Sequence, residues 1–196
     1  DGTKVWLNAD SELKYPVRFV GGKREVYLKG EGYFQVSKDS CRQFIVHLQN
    51  SEITVLGTAF NVSAYEDEAH VYTTLEEGRV AFYSRQNKQR ILLKPGMQSD
   101  MEVATGKTVV SEVDPSLYSA WIEGRFVFQS LDLESILRQL QRWYDFEVFF
   151  QQQEVKNYRF RGVLSRDMDI RQALDIIEET TDLKFDIKGK TILVRK

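Results

Sequence analysis

Apolar and polar positions alternate with period two through most of the first 113 residues. Such alternation puts one set of side chains on each face of a strand. It predicts short strands from Val5–Asn8 to Thr108–Val110, with Glu25–Leu28 and Tyr33–Val36 as two separate strands. Gly21-Gly22, Gly30, Gly32, Gly57, Gly78, Pro95-Gly96 and Gly106 punctuate the pattern as turn or bulge positions. No helical stripe interrupts it. Residues 1–119 therefore read as an all-β domain, sandwich-like or a β-solenoid, with 114–120 as a linker after Asp114-Pro115.

The period changes after Trp121. Phe126 and Phe128 alternate in a strand. Asp132 is then placed to cap a helix whose stripe is Leu133, Ile136, Leu137, Leu140 and Tyr144. Asp145 ends the helix, and Phe146, Val148 and Phe150 alternate again. The pattern recurs at an offset of 37 residues: Asp169 for Asp132 (169 less 132) and Asp182 for Asp145 (182 less 145). Residues 120–196 thus read as a small α+β domain made of two strand–helix–strand repeats, each helix laying its apolar face on a sheet. A final hairpin turns at Gly189 into Thr191–Arg195.

Composition narrows the function. Among 196 residues the hydrophobic share is 42%, the charged share 29% and the net charge −2. A general nucleic-acid binder needs a basic surface, so that class is set aside. No apolar run approaches the ~20 residues of a membrane helix. The chain opens on Asp1-Gly2 without an initiator Met or leader, which reads as a trimmed fragment of a longer protein. Cys41 is the single cysteine, so neither an internal disulfide nor a cysteine metal site is expected.

Candidate chemistry is sparse. His47 and His70 lie in strands with no ligand at metal spacing along the chain. Glu76-Glu77 point to opposite faces of a strand, and Glu178-Glu179 read as a solvated helix face, so neither makes a glycosidase pair. Trp143-Tyr144 read as core aromatics, and Arg138 and Arg142 as solvated charges. Asp39-Ser40-Cys41-Arg42 reads as an exposed tip with an incidental thiol. No catalytic residue, metal, cofactor or small-molecule substrate is expected. What remains is edge chemistry, because unpaired backbone on a small sheet can take a partner strand. Asn157–Gly162 and Thr191–Arg195 are the expected edges, with Tyr158, Arg159, Phe160, Arg161, Ile192, Leu193 and Val194 as partner-binding residues.

The runs DGTKVWLNADSELKYP, VYLKGEGYFQV, FIVHLQNSEITVLGTAFNVSAY, LEEGRVAFYS and LLKPGMQS resemble the periplasmic domain of FecR-type anti-sigma factors. WIEGRFVFQSLDLESILRQLQRWYDFEVFF and its echo resemble the short domain that follows it in Bacteroidetes members, itself similar to the N-terminal signalling domain of secretins and TonB-dependent receptors. The resemblance implies a sensor arm in the periplasm, part of a single-pass inner-membrane protein whose cytoplasmic segment binds an extracytoplasmic-function sigma factor. It implies, as partner, the signalling domain of a TonB-dependent outer-membrane transporter, and sigma release through regulated proteolysis. The cytoplasmic segment and membrane helix are absent from these residues. The alternative is a glycan-binding β module with an appended structural domain, using Trp6, Tyr27, Tyr33 and Tyr65.

Overall fold

In the computed structural model, which describes residues 1–196, the chain divides into two compact units, Asp1–Ser119 and Ala120–Lys196. The first is built from β1 (Lys4–Leu7), β2 (Glu12–Lys14), β3 (Lys23–Gln35), β4 (Gln43–His47), β5 (Ser51–Val55), β6 (Ala59–Ala64), β7 (His70–Glu77), β8 (Val80–Ser84), β9 (Arg90–Leu93), β10 (Met97–Glu102) and β11 (Thr108–Glu112). They form one large curled sheet in the order β11-β10-β7-β6-β3-β4-β5-β8-β9, with β1 and β2 also on β3. Only β3–β4 is parallel. A solenoid needs parallel pairing between successive coils, so that alternative is excluded and the curled sheet replaces it.

The long strand β3 joins the two halves of this sheet. Its first half lies between β2 and β4, and its second half between β1 and β6. Val26, Leu28 and Phe34 face the core, where Phe34 stacks on Phe60 at 5.2 Å between ring centroids. The two expected strands Glu25–Leu28 and Tyr33–Val36 are thus one strand. The glycines between them serve close approach. Gly30 has φ +81°, and a Cβ there would collide with Ser11 Oγ and meet Asp10 O at 2.8 Å.

Arg24 also faces inward and is fully buried. Its guanidinium donates to Asp1 Oδ2 (2.8 Å), Ser37 O (2.9 Å) and Arg42 O (3.0 Å) and lies over the Phe44 ring. Burial pushes its pKa down, while the charge of Asp39 opposes that. A buried cation is tolerated because nearly all its donors are used.

After a helical turn, α1 (Ser116–Ser119), the second unit contains β12 (Arg125–Asp132), α2 (Leu133–Tyr144), β13 (Glu147–Phe150), β14 (Arg159–Ser165), α3 (Ile170–Glu179), β15 (Lys184–Lys188) and β16 (Thr191–Arg195). Each helix is preceded by one strand and followed by another. Asp132 caps α2 by accepting from Ser135 N (2.9 Å), and Asp169 caps α3 in a reciprocal box with Gln172. Asp145 ends α2 in the left-handed conformation, but α3 stops at Glu179, before Asp182. The second helix is therefore shorter than its expected counterpart.

The strands do not make a single sheet. β12 pairs with β14 in a two-stranded antiparallel sheet, and β13-β16-β15 form a separate three-stranded one. One core draws on both sheets and both helices, with Phe126, Leu164, Leu137, Leu174, Phe185 and Ile192 all buried. Glu178 is not a solvated surface residue. It accepts from the Phe185 N–H (2.7 Å) and Lys184 Nζ (3.1 Å) and pairs with Arg171, tying α3 to β15.

Gly30→Ala forces a Cβ into backbone at positive φ and should cost about 2–4 kcal/mol in chemical denaturation. Burial pushes the Glu178 carboxyl up, but the Phe185 N–H, Lys184 and Arg171 together outweigh it and hold the folded value low. Stability from Glu178 is therefore present above the ordinary carboxylate range and lost as pH falls through the depressed value. Glu178→Gln should cost about 1–2 kcal/mol at neutral pH, and the gap between the two proteins should close as pH falls through that depressed value, as read by chemical denaturation across the acid range.

Candidate functional site: the open edge of β14

The expected binding residues fall on two different sheets. Ile192, Leu193 and Val194 lie on β16, the central strand of its sheet, parallel to β13 on one side and antiparallel to β15 on the other. Ile192 and Val194 are buried in the core. Their expected place on an edge is corrected: both ladders of this strand are already filled, so it has no backbone to offer. Tyr158, Arg159, Phe160 and Arg161 do stand at an open edge, because β14 pairs with β12 alone.

The backbone groups of β14 alternate in direction along the strand. Tyr158 O accepts from Leu133 N (2.9 Å), and Arg166 N donates to Gly124 O (2.8 Å). Even-numbered residues thus turn their backbone towards β12, and alternation turns the odd ones outward. The N–H and C=O groups of Arg159, Arg161 and Val163 face the open edge. Ser165 O is used by Met168 N in the following turn (3.3 Å).

Side chains alternate as well. Phe160 and Leu164 pack towards the core, while Arg159, Arg161 and Val163 stand exposed on the opposite face. There Val163 sits across from Val127 and is 56% exposed. Arg159 Nη1 donates to Ser130 O (2.7 Å), and Arg125 pairs with Glu123 (2.6 Å). Neither Arg159 nor Arg161 has a carboxylate partner among the ion pairs of this unit. An open groove runs along the edge, lined by Tyr158, Arg159, Phe160, Arg161, Thr180 and Thr181. Val127, Val163, Thr180 and Thr181 were not expected from sequence. The period-two run Arg159-Phe160-Arg161-Gly162-Val163 does carry the signal for Val163, but cross-strand Val127 and the threonines after α3 need the tertiary fold.

The other candidates have structural roles. His70 Nδ1 lies 2.6 Å from Asp100 Oδ1, and His47 stacks on Tyr27 beside Arg85, so neighbouring strands supply the partners that local sequence lacks. No group of three or more His, Cys, Asp or Glu is arranged to hold a metal ion. Tyr144 OH donates to Met168 O (2.7 Å), and burial pushes its pKa up. Trp143 packs edge-on to Phe126 with Arg166 over its face. Cys41 is an exposed free thiol.

The aromatics named for glycan binding do not form one platform. Tyr65 is 6% exposed and its OH donates to Ala9 O. Tyr33 packs on Trp6 and donates to Glu76 (2.9 Å), and burial with that bond pushes its pKa up to about 12. Tyr27 is six residues from Tyr33 on β3, roughly 20 Å along an extended strand. A groove beside Asp10, Glu12, Glu66 and Asp67 collects carboxylates. Glu12 and Glu66 are more than half exposed and bridged to Lys14 and Lys29, unlike the buried carboxyl a general acid requires.

The family model described as FecR protein matches residues 1–81, and that described as FecR, C-terminal matches residues 125–194. Two crystal structures of a candidate anti-sigma factor from Parabacteroides distasonis, at 1.65 Å and 2.50 Å resolution, superpose with TM-scores of 0.91 and 0.90. Each is 26% identical to this chain, and the match covers 100% of this chain and 91% of that one. No curated protein matches the chain.

The edge geometry has a direct signature in amide hydrogen exchange. Arg159, Arg161 and Val163 should exchange at near-solvent rates, while Phe160, Gly162 and Leu164 are protected by β12. Uniform protection along β14 would mean that the edge is covered.

Proposed function

The chain belongs to the FecR family of anti-sigma regulators, and from that premise we propose that it is the periplasmic sensor part of a single-pass inner-membrane anti-sigma factor. It receives its signal by protein–protein recognition from the signalling domain of a TonB-dependent outer-membrane transporter. Reception controls release of an extracytoplasmic-function sigma factor held by a cytoplasmic segment outside these residues. No helix here is long and apolar enough to cross a membrane. Residues 1–119 act as the FecR-type β domain and residues 120–196 as the secretin/TonB N-terminal-like signalling domain.

The observation that carries this reading is the open edge of β14, which lies inside the segment matched by the C-terminal family model. Strand addition there supplies main-chain hydrogen bonds for affinity, with alternate side chains for selectivity. The curled sheet, built round one shared strand and a buried Arg24, suits a rigid spacer between the reception site and the membrane.

Proline substitutions separate binding from folding. Arg161→Pro removes an outward N–H and leaves the ladder to β12 intact, as edge strands tolerate. It should keep its thermal transition within a few degrees and lose capture of transporter signalling domains in a pull-down from the host's periplasm. Leu193→Pro, in the centre of its sheet, should unfold the second unit. Undiminished capture by a folded Arg161→Pro protein would remove the edge from the mechanism.

A further inference from the structure

Charge along β14 bears on which strand the open edge accepts, and this inference rests on the sensor reading only for the identity of the natural partner. Three residues, Arg159, Arg161 and Val163, offer outward N–H and C=O groups. An incoming strand must lie about 4.8 Å from β14, in the groove bounded by Thr180 and Thr181. Side chains directly opposite one another then share a face. Partner residues facing the backbone of Arg159 and Arg161 set their side chains beside those two guanidinium groups. The residues between them turn the other way, towards Phe160 and the threonines.

Charge then selects the occupant. Arg159 and Arg161 carry two positive charges and make no ion pair; Asp132 stands across the ladder from Arg159 but is engaged as the cap of α2, and no acid stands across from Arg161. Antiparallel self-pairing centred on Arg161 would set that cation against its own copy. A shift of two residues would set Arg159 against Arg161, and like charges directly opposite are destabilising. A second copy of this chain is thus disfavoured in both registers. We propose that β14 accepts an extended partner segment alternating acidic with apolar residues, the acids beside Arg159 and Arg161 and the apolar residues over Phe160.

The end of β16 provides the means to test it. Lys196 Nζ lies 3.2 Å from Tyr158 OH, at one end of the groove. A flexible Gly–Ser linker appended after Lys196 in the full chain, ending in a Glu–Val-alternating heptapeptide, would present that strand at roughly millimolar effective concentration. The readout is amide exchange at Arg159, Arg161 and Val163, compared with a Lys–Val tail of the same length. The Glu–Val tail should slow exchange there by roughly tenfold more than the Lys–Val tail, as two opposite-charge pairs allow. R159E/R161E should invert the preference, and R161E alone, which leaves Arg159 opposite Asp132, should abolish it while keeping the thermal transition.

Equal protection by both tails, protection by neither, or a preference unmoved by R159E/R161E would each overturn the acidic-strand inference. Capture of transporter domains that persists in such a case leaves the sensor reading standing. Charge-selective protection with no transporter domain captured supports the inference and removes that partner instead.

Discussion

A two-stranded ladder satisfies only half of its backbone. β12 and β14 use their facing N–H and C=O groups on each other, and the fold supplies no third strand for the outer side of β14. That deficit follows from how the second unit makes its core. α2 and α3 draw apolar residues from two separate sheets, and the last strand completes the other sheet. Placed beside β14, β16 would have closed this edge. Placed between β13 and β15, it fills its own two ladders and leaves β14 open. Exposed edges invite promiscuous pairing. Here the invitation is narrowed by two cations, so one device both permits an acidic strand and deters the self-pairings that set arginine against arginine.

The first unit solves the opposite problem. Its large sheet must curl to bury one face, and β3 allows this by serving both halves. The close approach at Gly30 and the inward Arg24 sit on that same strand. A buried guanidinium would be costly alone. Its donors reach Asp1, Ser37 and Arg42, so a single side chain fastens the first residue of the chain and the segment after β3 to the core. Removing one partner of such a buried pair typically costs about 3–5 kcal/mol, because the other charge is left uncompensated. The arrangement makes the β unit stiff where it begins.

Local periodicity made much of this legible. The switch from period two to period 3.6 marked where helices begin, and Asp132 and Asp169 act as caps because a cap is a local chemical event. Pairing was less legible, since a strand's rank in a sheet depends on residues far away in sequence. Thr191–Arg195 and Asn157–Gly162 both read as edges, yet one is central. Ile192 and Val194 alternate with Leu193 and bury one face alone, a pattern shared by edge and central strands, so nothing local in that strand marked the difference. Arg159 and Arg161 interrupt the apolar residues of β14, as edge strands do. Gly30 and Gly32 misled for a related reason. Glycine serves turns and tight contacts alike, and only the neighbouring Ser11 backbone distinguishes them. Glu178 looked solvated because its partners, Phe185 and Lys184, lie beyond the helix.

The same logic explains why strand addition at this edge would need no deep pocket. A groove lined by six residues buries too little surface for strong apolar binding, and its floor is a partly covered phenylalanine. Backbone pairing supplies direction and register with no side-chain requirement, so on its own it would accept any extended segment. The side chains of β14 turn that generic affinity into a choice. Arg161 without a carboxylate neighbour is the residue where the difference between an acidic and a basic strand is felt most. Arg159, tied to Ser130 O, is already oriented to reinforce it. An edge that is chemically incomplete in both backbone and charge is stable alone only because water completes it. A partner strand that replaces that water with matched groups gains from both deficits at once.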